Sequence, residues 1–107
     1  EIAKYPSLED KVVIITGGAS GIGTSIVEQF LQQGSKVAFL DKEEDLGNDL
    51  VKKLSNFKHT PLFKHCDLTN IDNLKKNIKE IMMVFLEKYL TFLGTLLLMG
   101  LIILLYN

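Results

Sequence analysis

The stretch from Thr16 to Gly23, which reads Thr-Gly-Gly-Ala-Ser-Gly-Ile-Gly, has residue types and spacing suited to a chemical role. Gly17 permits a tight turn off a strand, Gly21 lets a pyrophosphate approach the backbone, and Gly23 lets the following helix pack closely on the sheet. The first N–H groups of that helix would face the phosphates, at the positive end of the helix dipole. Ser20 would add a hydroxyl. The pattern predicts a turn that binds the phosphates of a dinucleotide.

An acid stands where such a site needs a hydrogen-bond acceptor. Asp41 follows Gly23 by 18 residues (41 − 23) and ends a second apolar run. This is the position of the acid that accepts hydrogen bonds from an adenosine ribose. An isolated aspartate there would equally suit a helix N-cap or a solvated loop. Taken with the glycine turn, Asp41 is predicted to contact the cofactor.

The glycine turn has to join a buried strand to a helix, and strand patterns recur along the chain. Residues 12–16 are an apolar run rich in β-branched side chains, typical of a parallel strand buried on both faces. Two more strands are predicted, Val37–Leu40 and Pro61–Cys66. The proline is at the first position of its strand, where a missing N–H does least harm.

Apolar residues at helical spacing follow each predicted strand. Gly34 stands where the first helix would be capped, and Thr69 with Asp72 resembles a capping box that opens the third helix. The apolar positions are Ile22, Ile26, Val27, Phe30 and Leu31 in the first helix, Leu46, Leu50, Val51 and Leu54 in the second, and Leu74, Ile78, Ile81, Met82, Phe85 and Tyr89 in the third.

The alternating β-α-β-α-β-α order predicts an α/β fold with right-handed crossovers. We expect a Rossmann-type parallel sheet with flanking helices, truncated after the third βα unit, and an apolar C-terminal helix. Residues 1–89 would be the N-terminal part of a dinucleotide-binding domain. Residues 90–107 form an apolar tail.

Two motifs resemble those of the short-chain dehydrogenase/reductase family. The turn from Thr16 to Gly23 resembles its Thr-Gly-x-x-x-Gly-x-Gly motif, and Cys66-Asp67-Leu68 resembles its Cys-Asp-Val segment after the third strand. The resemblance runs from about residue 10 to residue 89. It implies the NAD-binding part of an enzyme that transfers hydride between an alcohol and NAD.

The resemblance also implies which residues would hold the cofactor. The acid at Asp41 would repel a 2′-phosphate and so favour NAD over NADP, although Lys42 beside it is a residue that can serve NADP. The candidate positions are Gly17, Gly18, Ser20, Gly21, Ile22 and Gly23 for the pyrophosphate side, Asp41 and Lys42 for the ribose, and Cys66, Asp67 and Leu68 for the adenine.

The catalytic residues of the resembling family have no counterpart in this sequence. The family uses an Asn-Asn-Ala-Gly turn, a serine and a Tyr-x-x-x-Lys pair, in which tyrosine is the general acid/base. The residue four places after Tyr5 is Glu9, the residue four places after Tyr89 is Leu93, and Tyr106 is next to last. We therefore predict no catalytic residue and no turnover by this chain. His59 and His65 lack metal-site spacing, so no metal is predicted.

The apolar tail leaves three interpretations open. Thirteen of the 17 residues from Leu90 to Tyr106 are apolar and none is charged. The tail could be a short membrane segment next to Glu87 and Lys88, or a buried helix or strand of a truncated domain. It could also come from a splice variant, frameshift or gene-model error that replaces the rest of an enzyme.

Bulk composition limits the partners and the compartment. The formal net charge of −1 over 107 residues gives no reason to expect a nucleic-acid partner. A single cysteine, Cys66, excludes an internal disulfide and suits a reducing compartment. We expect a cytoplasmic protein that binds NAD and that associates with a membrane or with itself through residues 90–107.

Overall fold

The computed structural model describes the chain from residue 3 to residue 106, without the side chains at positions 89, 92, 96, 98 and 106. It confirms the α/β fold with alternating strands and helices. A short 3₁₀ turn at Pro6–Leu8 comes first. The elements are then β1 (Val12–Thr16), α1 (Gly21–Gln32), β2 (Lys36–Asp41), α2 (Glu44–Lys53), β3 (Leu62–His65) and α3 (Ile71–Tyr106).

The three strands form one parallel sheet in the order β1-β2-β3. Ile15 of β1 pairs with Phe39 of β2, and Phe39 pairs with Phe63 of β3, so these side chains share one face. The rings of Phe39 and Phe63 lie 5.1 Å apart between centroids. This face is the core, and it is covered by Val27 and Leu31 of α1, by Leu50 of α2 and by Leu54, the C-cap residue of α2.

The β2–β3 part of the core requires a glycine that the sequence pattern did not reveal. Gly47 lies in α2, and a Cβ atom built there would be 2.3 Å from the ring of Phe63. Only a residue without a side chain lets the helix approach the sheet this closely. The apolar face predicted for α2 thus did not include Gly47, the residue in closest contact with the sheet, and Leu46 of that face is exposed.

The prediction that β1 is buried on both faces is wrong. Val12 is 46% exposed, and only Ile15 of the strand is buried. The reason is the strand order, because β1 lies at an edge and β2 at the centre. All residues of β2 except Lys36 are buried. An apolar run identifies a strand well but does not tell whether it lies at the centre or at the edge of a sheet.

Helix α1 ends as predicted but begins differently. Gly34 has φ +81°, Ser35 N–H donates to the Phe30 carbonyl at 3.1 Å, and Gly34 N–H donates to the Leu31 carbonyl at 3.0 Å. These two bonds form a Schellman motif that closes the helix. At the other end Ile22, predicted to lie on the apolar face, is 82% exposed. It belongs to the first helical turn, which extends beyond the core cluster.

The capping box predicted at Thr69 and Asp72 is wrong. The cap is Asn70, whose Oδ1 accepts the backbone N–H of Asn73 at 3.0 Å. Thr69 instead directs its backbone N–H and its hydroxyl to Asp67. Asn caps a helix as well as Thr does. Because the Thr69 hydroxyl is bonded to Asp67, Asn70 is the residue that caps α3.

Helix α3 continues from the third βα unit into the apolar tail without a break. The chain divides into two compact units, and the division lies within α3, between Asn77 and Ile78. The boundary predicted between residues 89 and 90 was based on the change of composition and stays a prediction. By length and composition α3 is apolar enough to cross a membrane. Its most apolar 18-residue window has a mean hydropathy of 2.0, and no part of that window is buried.

Candidate functional site

The glycine turn leaves β1 in a conformation that favours glycine. Gly17 has φ +69° and Gly21 has φ +58°, in the left-handed region where other residues are strained. A Cβ atom at either position would meet nothing within 4 Å. The space beside both residues is open, so another molecule has room to approach the backbone there.

Gly23 is needed for a closer contact than the sequence indicated. It was predicted to let the helix pack on the sheet, but a Cβ atom at Gly23 would lie 1.8 Å from the carbonyl oxygen of Gly17. The first turn of α1 therefore packs against the glycine turn itself. Gly18 is also constrained, since a Cβ atom there would lie 2.6 Å from the Cβ of Phe39.

The start of α1 has the features of an anion site. Ser20 is the N-cap residue in an extended conformation, and its hydroxyl makes no capping hydrogen bond. The first N–H groups of a helix have no partner within the helix. No acidic residue lies in the first turn of α1, so no carboxylate competes with a phosphate for these groups.

Asp41 connects the glycine turn to the segments beside it. Its carboxylate accepts the N–H of Ala19 at 3.0 Å and the N–H of Glu43 at 2.9 Å. Its backbone carbonyl accepts the N–H of Cys66 at 2.9 Å. The residue is only 8% exposed. Asp41 therefore holds the turn, the entry to α2 and the exit from β3 together at the carboxyl ends of the strands.

A cavity of about 390 Å³ opens at these strand ends. Seven of the predicted cofactor residues line it, and Gly18, Gly21, Ile22 and Gly23 do not. Glu43 and Thr69 also line it and were missed by the sequence analysis. Each comes two residues after an aspartate whose carboxylate accepts its N–H, a local turn pattern that identifies them in retrospect. The full lining is Gly17, Ser20, Asp41, Lys42, Glu43, Cys66, Asp67, Leu68 and Thr69.

A second cavity, of about 470 Å³, lies near the amino ends of the strands and contains no residue of the glycine turn. Lys58 and Glu9 in its lining pair with each other at 2.8 Å. Asp10 accepts Lys58 Nζ at 3.1 Å and His59 Nε2 at 2.7 Å. These charged groups are occupied with one another, so the cavity at the carboxyl ends is the better candidate site.

Hydrogen bonds from Thr69 lower the pKa of Asp67 in the candidate cavity. The Thr69 hydroxyl donates to Asp67 Oδ1 at 2.7 Å and the Thr69 N–H donates to the same oxygen at 2.9 Å. These bonds, with a smaller contribution from the charge of Lys42, hold the pKa of the Asp67 carboxyl below its ordinary range. Asp67 therefore remains an ionised acceptor in the cavity wall to a lower pH than an ordinary aspartate does.

Replacing Thr69 with alanine is expected to raise the pKa of Asp67 toward 3.8, its ordinary value. A depressed folded-state pKa contributes stability above the unfolded pKa, and this contribution is lost as the pH falls through the folded pKa. The variant should therefore lose less stability than the parent as the pH is lowered. Titration of the Asp67 carboxyl carbon by NMR measures the pKa. Thr69→Ser, which keeps the hydroxyl, should retain the low value, and equal pKa values in all three proteins would contradict the assignment.

The remaining residues of chemical interest have ordinary surroundings. Cys66 is a free and buried thiol, and it lines the cavity. His59 contacts Asp10 at the surface. Within the described part of the chain, no group of three or more His, Cys, Asp or Glu residues is placed to hold a metal ion.

Comparison with known proteins gives a consistent result along most of the chain. A profile of the family described as short chain dehydrogenase matches residues 11–91. D-xylose 1-dehydrogenase of Caulobacter vibrioides is 42% identical over 79 residues, which cover 74% of this chain and 32% of that protein.

Solved structures of similar fold cover the same part. A short chain dehydrogenase from Bacillus anthracis superposes with a TM-score of 0.67 at 29% identity, over 73% of this chain and 31% of that one. L-sorbose reductase of Gluconobacter frateurii, crystallised with NADPH and L-sorbose, has a TM-score of 0.68 at 24% identity, over 72% of this chain and 30% of that one. The chain thus spans about a third of the length of the proteins it matches.

Proposed function

The chain belongs to the short-chain dehydrogenase family, and from this we propose that it is the NAD-binding part of an oxidoreductase. The observation that carries the proposal is the cavity at the carboxyl ends of β2 and β3, next to an open glycine turn. Parallel α/β sheets bind nucleotides at this edge. The proposal concerns this chain, which spans about a third of the length of the proteins it matches, and the reaction of any longer protein would depend on further residues.

The residues present fit a dinucleotide in their chemistry. Gly17 and Gly21 leave open space at the turn, and together with the N–H groups at Gly18, Ile22 and Gly23 they would bind the pyrophosphate. The Ser20 hydroxyl, which has no capping bond, would add a donor. The turn is thus proposed as the phosphate-binding part of the site.

The adenosine half would lie in the cavity. Asp41 would accept hydrogen bonds from the ribose, because each of its oxygens accepts one N–H and retains a free lone pair. Asp67 would accept the amino group of the adenine, with Cys66 and Leu68 flanking the ring. When NAD is bound, its nicotinamide ring supplies the hydride acceptor. This chain would position the nicotinamide by holding the adenosine half of the same cofactor molecule.

We propose NAD rather than NADP on electrostatic grounds. The cavity is lined by three carboxyl groups, Asp41, Glu43 and Asp67, against the one ammonium group of Lys42. The charge of Lys42 acts on Asp67, so it is already partly balanced. A 2′-phosphate would enter a region of net negative charge, which opposes its binding. L-sorbose reductase, a neighbour in fold, was crystallised with NADPH, and the titration described below compares the two cofactors directly.

We propose that this chain performs no turnover, since its sequence contains no Tyr-x-x-x-Lys pair. A second candidate is therefore a regulatory or membrane-anchored nucleotide-binding module.

The substrate proposed for a complete enzyme is a secondary alcohol. The sequence resembles NAD-dependent 15-hydroxyprostaglandin dehydrogenase, whereas the similar protein from Caulobacter is named for D-xylose. The proposed partners are NAD and, through residues 90–107, a membrane or a second copy, with no nucleic acid. We propose the cytoplasm as the location.

Calorimetric titration of the chain in mild detergent tests the cofactor assignment. NAD is expected to bind saturably, and NADP at least about tenfold more weakly, because an added negative charge meets like charges in the cavity. Glu43→Gln should narrow this difference, whereas Glu28→Gln, which removes the same charge from the middle of α1, should leave it unchanged. A folded chain that binds neither cofactor would contradict the proposal. NADH formation from secondary alcohols would contradict the absence of turnover.

A further inference from the structure

We infer that residues 90–106 of α3 cross a lipid bilayer as a single helix. The inference deepens the membrane contact proposed above for the tail and does not depend on nucleotide binding. Its first support is that apolar residues cover every face of this segment. The five consecutive residues 101–105 are Leu, Ile, Ile, Leu and Leu, and all are exposed, by 48% to 75%. At about 100° per residue, five consecutive positions pass once around a helix.

This distribution identifies the partner. A helix that lies flat on a membrane keeps a polar face toward water, and residues 101–105 have none. A second copy of the helix would cover one stripe and leave the others in water. A helix that is apolar on all faces is enclosed either by a bilayer or by the core of a large protein, and none of the most apolar window is buried within this chain. Hydrocarbon satisfies all faces of the segment at once, and we infer it as the environment.

The polar groups of the segment are satisfied within the helix, as a bilayer requires. The Thr91 hydroxyl donates to the Glu87 carbonyl at 2.9 Å, and the Thr95 hydroxyl donates to the Thr91 carbonyl at 3.0 Å. The other backbone groups bond along the helix, except for the carbonyls of its last turn, which would lie at the far interface. In hydrocarbon, unsatisfied polar groups strongly oppose insertion, and the described residues 90–105 present no such side chain.

The length and the charges agree with a single crossing. Residues 90–106 span about 25 Å at 1.5 Å per residue, close to the roughly 27 Å hydrocarbon core of a thin membrane. Glu87 and Lys88 are the last charged residues before the segment. They would lie at the interface, and the lysines of the preceding turns, Lys75, Lys76 and Lys79, favour the cytoplasmic side for residues 1–88.

The test is reconstitution of the whole chain from detergent into neutral phosphatidylcholine vesicles, followed by flotation. The protein is expected to float with the vesicles and to stay bound in 1 M salt, and oriented circular dichroism should report a helix along the membrane normal. Leu97→Lys, near the centre of the segment, should lower the bound-to-free ratio on the order of a hundredfold. Leu46→Lys, at an exposed position of α2, should not change it.

Three results would overturn the inference: protein that remains in the aqueous phase as oligomers, protein released from the vesicles by salt, and a helix parallel to the membrane surface. NAD titration of the vesicle-bound protein is a separate readout. A chain that floats without binding NAD would contradict the proposed cofactor site alone, and a chain that binds NAD without floating would contradict the membrane crossing alone.

Discussion

Replacing Asp41 with alanine is expected to weaken NAD binding roughly 100-fold and to lower the free energy of unfolding by about 2–4 kcal/mol. The loss of stability follows from two hydrogen bonds. Without the carboxylate, the N–H of Ala19 is left buried and unpaired, and the N–H of Glu43 loses its acceptor. The loss of affinity has two sources, the ribose acceptor itself and the displaced glycine turn.

Urea unfolding followed by circular dichroism and calorimetric titration with NAD measure the two effects separately. Asp49→Ala is the matched control, because it removes the same charge from an exposed position of α2 and should change stability by less than about 0.5 kcal/mol. Asp41→Asn keeps one acceptor oxygen and should lie between the parent and the alanine variant. If Asp41→Ala stayed folded with unchanged NAD affinity, Asp41 would have only a structural role.

The second large effect is expected at Gly23. An alanine there would bring its Cβ to 1.8 Å from the Gly17 carbonyl oxygen. No change of side-chain rotamer relieves this contact, because the oxygen is a backbone atom and the position of a Cβ is fixed by the backbone. Either the glycine turn or the first turn of α1 has to move. We expect a destabilisation of at least about 3 kcal/mol and loss of NAD binding.

Urea unfolding and calorimetric titration with NAD test this prediction as well, with Gly94→Ala as the control. A Cβ at Gly94 meets nothing within 4 Å, and alanine is the better helix former by about 1 kcal/mol. This variant should unfold no more easily than the parent and should bind NAD equally. A Gly23→Ala protein of parental stability would show that the turn adopts another conformation in solution.

The strands were predictable because their signal is local. The first strand was predicted with its observed bounds, and Pro61–Cys66 exceeded the observed β3 by one residue at each end. The position of β1 in the sheet was not predictable in this way, because the sequence of a strand does not state how many neighbours it has. The exposure of Val12 therefore follows from sheet order and not from composition.

Short-range competition between hydrogen bonds explains other differences. Thr69 and Asn70 both suit a helix cap, and the choice depends on whether Asp67 takes the threonine hydroxyl. The same difficulty hid Glu43 and Thr69 from the list of candidate site residues, since an acid and a hydroxyl in loops have no periodic pattern. The glycines of the turn were found by their spacing, but that Gly23 contacts Gly17 required coordinates.

The strand pairing has a consequence for how the chain is made. The partners Val12 and Lys36 are 24 positions apart, and so are Ala38 and Leu62. Each pairing therefore closes a loop of equal and modest length, so that the loop entropy to be overcome is similar at both steps. Strands emerge from the ribosome in the order in which they pair, and N-terminal parts fold first during synthesis. The three-stranded sheet can thus assemble strand by strand during translation, while β1 keeps one edge free for any strand that emerges later.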